Sequence, residues 1–137
     1  MEDKNFLNNY FQNLIKLINY KDQTDKLIEV KNIILETKNQ KNKTMIFGNG
    51  GSAAISSHFS VDLTKNAKVR CVNFNESDLL TCFSNDFGYE RWVEKAIEFY
   101  GDKNDVIILI SAGGESKNML NAVPAAKKIG IRKIITF

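Results

Sequence analysis

Two short segments rich in glycine and serine have the composition of ligand-binding loops. Residues 48–54 read GNGGSAA and residues 111–116 read SAGGES, and each follows a short apolar run. Glycine lets the chain turn tightly and lets a ligand approach the backbone. The free N–H groups and the dipole at a helix N-terminus favour an anion, above all phosphate. Each segment is therefore predicted to bind phosphate where it opens a helix.

The first loop also has other interpretations. Gly48, Gly50 and Ala53 fit the dinucleotide pattern GxGxx(G/A), which needs an acidic residue about 20 positions further on. Glu76, the best candidate, lies 28 positions after Gly48, so the fit is loose. A tight strand-to-helix turn without a ligand would explain the same residues. Ser52 can cap the helix, donate to a phosphate oxygen, or alternate between the two roles.

His58 and Asp62 are the side chains that could perform acid–base or metal chemistry. They lie four residues apart in the helix predicted after the first loop, which puts both on one face. An imidazole and a carboxylate so placed can ligate a metal or move a proton. Asp62 falls on an apolar stripe with Ile55 and Phe59, where a carboxylate is costly unless it is paired or bound to a metal. A hydrogen bond to Asp62 from a neighbouring backbone or hydroxyl group, and a structural role for His58, are the alternatives.

The apolar pattern predicts an α/β fold that brings the two loops together. Strands are predicted at residues 44–47, 69–74, 106–110 and 133–137, and helices or helical turns at residues 52–65, 77–83, 89–100 and 116–129. Near-continuous apolar strands that alternate with helices indicate a parallel sheet with helices on both faces. Because the carboxyl ends of parallel strands share one edge, both loops can serve one phosphorylated ligand.

A pair of amphipathic helices is predicted before the sheet, at residues 5–20 and 22–37, followed by a polar linker at residues 38–43. The aromatic residues of the first helix are interpreted as core or subunit-interface residues: Phe6, Tyr10 and Phe11. We expect one domain, formed by a helical extension and an α/β core, residues 1–43 and 44–137.

Two local features of the last predicted helix and strand stand out. Pro124 lacks an N–H donor and would clash with the carbonyl of Leu120, at about 3 kcal/mol or more in a regular helix, so we expect a kink or a short break near Val123. The sequence ends at Phe137, on a strand with no covering helix after it. We therefore expect a further segment or another chain to cover this strand, and the chain to self-associate.

The composition excludes several classes of protein. A chain of 137 residues, 43% apolar and 26% charged, with a net charge of +3, is typical of one ordinary globular domain. Nucleic-acid binding is not expected, because the basic cluster at residues 38–43 is interpreted as a solvated linker. The apolar runs are far shorter than the roughly 18 residues that span a bilayer. Cys71 and Cys82 are predicted to be buried thiols of a cytoplasmic protein.

Three ordered motifs resemble those of one known family. Residues 48–54 with His58 and Phe59 resemble its GNGGSAA…HF stretch, residues 85–90 (NDFGYE) its ND(Y/F)GYE turn, and residues 105–122 its DVLIGISTSGNSxNVLxA stretch. Over about residues 10–137 the chain thus resembles the SIS (sugar isomerase) domain family and, within it, the phosphoheptose isomerases.

The resemblance implies a Rossmann-like SIS fold and a sugar-phosphate site. By motif position the implied binding residues are Asn49, Gly50, Gly51, Asn85, Asp86, Ser111, Ala112, Gly113 and Ser116, to which the phosphate argument above adds Ser52. The implied reaction interconverts sedoheptulose 7-phosphate and a heptose 7-phosphate through an enediolate, for surface-polysaccharide synthesis. Asp62 would be the base and His58 a metal ligand or proton carrier, with zinc held by both in a homotetramer. For Asp86 and Asn85, a plain turn is the alternative.

Three departures from the family pattern favour an alternative function. The family's Ser-Thr-Ser-Gly is SAGG at residues 111–114, its catalytic glutamate is Asp62, and its later segment with a glutamine and a histidine has no counterpart here. We therefore expect this chain alone to bind zinc weakly or not at all and to turn over heptose phosphate poorly, and we expect extension through such a segment to restore both. The alternative is a non-catalytic sugar-phosphate-binding module or regulator, for example one that associates with the replication initiator.

Overall fold

The computed structural model describes residues 2–18, 23–131 and 133–137, which form two compact units, Met1–Lys31 and Asn32–Phe137. The first unit contains helix α1 (Glu2–Ile18) and the first half of helix α2 (Gln23–Asn39), as far as Lys31. The elements that follow α2 in the second unit are β1 (Thr44–Gly48), α3 (Gly51–Lys65), β2 (Cys71–Asn73), α4 (Ser77–Phe87), α5 (Trp92–Tyr100), β3 (Val106–Ile110), α6 (Lys117–Lys128) and β4 (Lys133–Thr136).

The four strands form a parallel sheet in the order β2-β1-β3-β4. Thr44 pairs with Val106 and Gly48 with Ile110, so β1 and β3 begin and end at the same level. This register places the loops that follow the two strands side by side. The predicted α/β fold with a parallel sheet is confirmed.

The core lies on both faces of the two central strands. Met45 and Phe47 of β1 are fully buried in a cluster with α5 and α6, while Ile46, also fully buried, alternates to the other face. Phe47 packs edge-on against Trp92 at a ring-centroid distance of 5.9 Å. Burial on both faces explains why β1 and β3 are almost continuously apolar.

Several predicted boundaries differ from the structure. Strand β2 is shorter than the predicted 69–74, because the N–H of Val69 donates to the carbonyl of Leu63 rather than to a strand. Helix α6 runs through Pro124 without the expected break. Pro124 and Leu120 are both exposed, so water can satisfy the carbonyl that loses its helical partner. Helix α4 continues four residues beyond the predicted 77–83, and residues 19–22 lie outside the described residues.

The burial of two groups of residues differs from the sequence-based expectation in part. Cys71 is buried as predicted, but Cys82 on α4 is exposed, so the prediction is wrong for Cys82. In α1, which has no buried residue, Phe6, Tyr10 and Phe11 are more than half exposed, which leaves the subunit interface of the two interpretations. Among the helices described, none is long and apolar enough to cross a membrane.

Candidate functional site

The first loop makes a very tight turn between β1 and α3. A Cβ atom on Gly48 would lie 2.4 Å from the carbonyl oxygen of Ser52, so the close contact requires glycine. Gly50 has a positive φ of 53° and is the N-cap of α3. Within the described chain the N–H groups of Gly50 and Gly51 have no backbone acceptor. These two donors, at the positive end of a helix, can bind an anion.

Ser52 does not cap α3, which corrects one of its predicted roles. It lies inside the first turn of the helix, its N–H donates to the carbonyl of Asn49 at 2.9 Å, and its hydroxyl makes no cap hydrogen bond. The cap position belongs to Gly50, which has no side chain. The Ser52 hydroxyl therefore remains available to a ligand at the start of α3.

The second loop follows β3 and opens α6. Gly114 turns the chain with φ 69° and donates its N–H to the carbonyl of Ser111 at 3.0 Å. The hydroxyl of Ser111 donates to that of Ser116, the N-cap of α6, at 3.1 Å. Ala112 and Gly113 are exposed, and in the part of the chain that the structure describes their N–H groups have no backbone acceptor. The second loop thus also offers free amides beside a helix N-terminus.

A pair of asparagine side chains joins the two loops. Asn49 Nδ2 donates to Asn118 Oδ1 at 3.0 Å, and Asn118 Nδ2 donates back to Asn49 Oδ1 at 2.9 Å. We call this pair the amide bridge. Asn118 is buried in the first turn of α6 and was not predicted as a site residue, although it lies within the family motif at residues 105–122.

The NDFGYE motif at residues 85–90 begins in the last turn of α4. Asn85 and Asp86 are exposed residues of the last helical turn, and Gly88, with φ 86°, ends the helix. The plain-turn interpretation is therefore wrong for these two residues. After Gly88 the chain returns to the first loop, where the hydroxyl of Tyr89 donates to Asn49 Oδ1 at 3.1 Å. Tyr89 was not among the predicted site residues.

His58 and Asp62 lie on an open face of α3. Their side chains are 81% and 50% exposed, and His58 Nε2 is 3.5 Å from Asp62 Oδ2. The apolar stripe that was expected to bury Asp62 is itself open, since Ile55 is 59% exposed. Asp62 accepts a hydrogen bond from Asn66 at 3.1 Å and needs no metal to satisfy it. The argument that burial makes Asp62 a functional residue is therefore wrong. The prediction that His58 and Asp62 lie on one face of α3 is confirmed.

The end of β2 fixes the position of α3. Asn75 Nδ2 donates to the hydroxyl of Ser57 at 2.7 Å and to the carbonyl of Ala53 at 2.9 Å, and Asn73 Nδ2 donates to the hydroxyl of Ser60 at 2.8 Å. These bonds hold the helix against the sheet over two turns. These hydrogen bonds therefore determine which way the face of α3 that carries His58 points.

The donors fit zinc in kind but not in number. An imidazole and a carboxylate are suitable ligands, but a zinc site needs three or four from the protein. Across residues 2–18, 23–131 and 133–137, no cluster of three His, Cys, Asp or Glu side chains is arranged to hold a metal ion. His58 and Asp62 alone therefore do not complete a zinc site.

Comparison with known proteins identifies one protein family. Residues 8–136 match the SIS domain. The phosphoheptose isomerase of Helicobacter pylori (strain Shi470) is 37% identical over 108 residues, which are 74% of this chain and 56% of that protein. The phosphoheptose isomerase of Sodalis glossinidius is 31% identical over 137 residues, which are 96% of this chain and 71% of that protein. The chain thus spans little more than half of the Helicobacter relative.

Solved structures agree with the sequence matches. The phosphoheptose isomerase GmhA from Neisseria gonorrhoeae superposes with a TM-score of 0.88 at 25% identity, over 97% of this chain and 73% of that one. The phosphoheptose isomerase from Francisella tularensis shares the fold, with a TM-score of 0.86 at 21% identity over 99% of this chain and 75% of that one. On its sheet order, its glycine-rich loops and these matches, the chain belongs to the SIS domain family.

Proposed function

We propose that this protein is an aldose–ketose isomerase that interconverts sedoheptulose 7-phosphate and a heptose 7-phosphate. One observation carries the proposal: two loops with free backbone N–H groups lie at one edge of the sheet, and the helix opened by the first loop carries an imidazole–carboxylate pair. The similarity to proteins named phosphoheptose isomerase supports the substrate class.

The phosphate group is proposed to bind between the two loops. The N–H groups of Gly50, Gly51, Ala112 and Gly113 supply donors, and the N-termini of α3 and α6 add a positive potential. The hydroxyls of three serines add further donors: Ser52, Ser111 and Ser116. We place the sugar hydroxyls near Asn85 and Asp86, whose segment is tied to the first loop through Tyr89.

The reacting end of the sugar is proposed to lie further along α3. His58 is seven residues beyond Gly51, or about 10 Å along the helix axis, which is comparable to an extended seven-carbon sugar phosphate. Asp62 removes the proton alpha to the carbonyl, which gives an enediolate, and the proton returns to the adjacent carbon. His58, next to Asp62, holds or carries the proton during the exchange.

Zinc remains a proposed cofactor of this site. When bound, zinc would polarise the carbonyl oxygens of the sugar. His58 and Asp62 would be two of its ligands, and further ligands have to come from elsewhere. The acid–base step above uses the side chains of this chain and does not depend on the metal.

We also propose a homotetramer in the cytoplasm that serves surface-polysaccharide synthesis, with no nucleic-acid or membrane partner. The support for self-association is the apolar side of α1, where Phe6, Leu17 and Ile18 are about 70% exposed. Such a surface is typical of a protein–protein interface. Light scattering at micromolar concentration tests the assembly, and a well-folded monomer would contradict it.

A sugar-phosphate-binding module or regulator without catalysis, for example one that associates with the replication initiator, is the second candidate. The openness of Asp62 favours it, because a half-exposed carboxylate is a less effective base than a desolvated one. The hydroxyls of Ser111 and Ser116 are also bonded to each other, which leaves fewer free donors. Binding of sedoheptulose 7-phosphate without turnover would identify such a module.

A further inference from the structure

The amide bridge has a defined orientation. The backbone N–H of Met119 is shared between the carbonyl of Ser116 at 2.9 Å and Asn118 Oδ1 at 3.1 Å. Because a backbone N–H can only donate, the atom of Asn118 that faces it must be the oxygen. Asn118 Nδ2 then faces Asn49, so that the atom of Asn49 opposite it is Oδ1. With Asn49 in this orientation, the hydroxyl of Tyr89 donates to the same Oδ1 at 3.1 Å.

The hydrogen-bonding capacity of the Asn49 side chain is almost used up. Its Oδ1 has two lone pairs, and these accept from Asn118 and from Tyr89. Its Nδ2 has two hydrogens, one of which is donated to Asn118. Counted over the residues that the structure describes, one N–H is left for a ligand and no lone pair of Oδ1 is left to accept. Asn49 is also only partly buried, between the two loops, so this N–H can reach a bound molecule.

We propose that Asn118 and Tyr89 are positioning residues that fix Asn49 as a hydrogen-bond donor to the ligand. In this arrangement Asn49 binds an oxygen lone pair, as on a phosphate or a carbonyl group, and cannot accept a hydrogen from a sugar hydroxyl. The inference rests on the proposed function and deepens it, because it assigns the side chains that orient one binding residue. Asn118 acts from a buried position on α6, and Tyr89 from the segment between α4 and α5.

The test is a double-mutant cycle on ligand affinity. Asn118→Leu keeps the size of the side chain and removes the bridge, and we expect affinity for sedoheptulose 7-phosphate in calorimetry to fall about tenfold. In an Asn49→Ala background the same change should cost less than about twofold, because Asn118 acts through Asn49. Tyr89→Phe removes one hydroxyl at an exposed position and should weaken binding about threefold.

A matched control separates positioning from general stability. Asn42 Nδ2 donates to the carbonyl of Lys103 at 3.1 Å, a cross-link at the opposite edge of the sheet. Asn42→Leu should leave the affinity unchanged. Nuclear magnetic resonance gives a second readout. Added phosphate should change the chemical shift of one Nδ2 proton of Asn49 in the wild-type protein, but of both Nδ2 protons in Asn118→Leu.

The outcomes distinguish this inference from the proposed function. The positioning role would be overturned if the affinity of Asn118→Leu for the ligand lies within twofold of wild type. It would also be overturned if the losses of binding free energy in Asn49→Ala and Asn118→Leu add fully in the double variant. If the protein binds sedoheptulose 7-phosphate without turning it over, the proposed function fails and the cycle still decides the inference. If inorganic phosphate binds and the sugar phosphate does not, the cycle is run with inorganic phosphate, and the same changes in affinity decide the inference. If neither ligand binds, the proposed function and the positioning role are both overturned.

Discussion

Gly48 and Ser52 lie so close together that a Cβ at Gly48 would be 2.4 Å from the Ser52 carbonyl oxygen and 2.8 Å from the Ser52 Cβ. Neither partner is a flexible side chain that could move aside. The contact places the first turn of α3 directly on the end of β1, and so aims the N-terminus of the helix at the candidate anion site.

Gly48→Ala should therefore displace the start of α3. We expect the free energy of unfolding to fall by about 1–3 kcal/mol, as in other overpacked sites, which can be measured by urea denaturation. Gly113→Ala is the control for stability, because a Cβ at Gly113 would meet nothing within 4 Å. Equal stability of the two variants would contradict the tight contact.

The serine hydroxyls at the two helix N-termini provide a second prediction. Ser52→Ala combined with Ser116→Ala should weaken sugar-phosphate binding by about 1–3 kcal/mol, the scale of lost hydrogen bonds to a charged group. Calorimetry with sedoheptulose 7-phosphate measures the change, and unphosphorylated sedoheptulose is the control ligand. Unchanged affinity for the phosphorylated sugar would show that the phosphate binds elsewhere.

The two cysteines should differ in reactivity. Burial raises the pKa of the Cys71 thiol to about 12, so it should resist alkylation at pH 8. Cys82 is exposed, and the negative charge of Asp86 raises its pKa, with Cys82 Sγ 3.7 Å from Asp86 Oδ2. Iodoacetamide should therefore modify Cys82 first.

Asp86→Asn should speed this modification further, because removing the charge lowers the pKa of Cys82 and increases its thiolate fraction. Mass spectrometry of each cysteine-containing peptide gives the rates, with Glu76→Gln at the start of α4 as the control substitution. Faster modification of Cys71 than of Cys82 would contradict the burial that the structure shows.

Asp62→Asn tests the proposed base. Turnover of sedoheptulose 7-phosphate should fall about 10²-fold or more, the scale of a lost general base, while phosphate binding stays nearly intact. Asp78→Asn, on the exposed first turn of α4, is the matched control. Retained turnover in Asp62→Asn would assign the proton transfer to another residue, and Asp86 would be the next to test.

The sheet could be predicted from the sequence because a strand that is buried on both faces is a nearly continuous run of apolar residues. Residues Val106 to Ile110 are all apolar, and the structure buries four of the five. The two loops followed from the same reasoning, since each comes directly after a buried strand. Helix boundaries were less accurate, as in α6, where an exposed Pro124 is accommodated without a break.

The side-chain network of the site could not be predicted. Asn118 lies 69 residues from Asn49, and a polar residue at the start of a helix is typical of a solvated position. Only the register of β1 with β3 brings the two amides together. For Asp62 the periodicity correctly found the apolar stripe but not its exposure, because burial depends on what packs against the helix.

The most direct test of the proposed function is the conversion of sedoheptulose 7-phosphate, followed by nuclear magnetic resonance with the purified protein in D₂O. We predict that a heptose 7-phosphate forms and carries solvent deuterium on the carbon next to the carbonyl, because the enediolate proton passes through an exposed Asp62. Binding of the sugar phosphate without any product would contradict the isomerase proposal and favour the binding module.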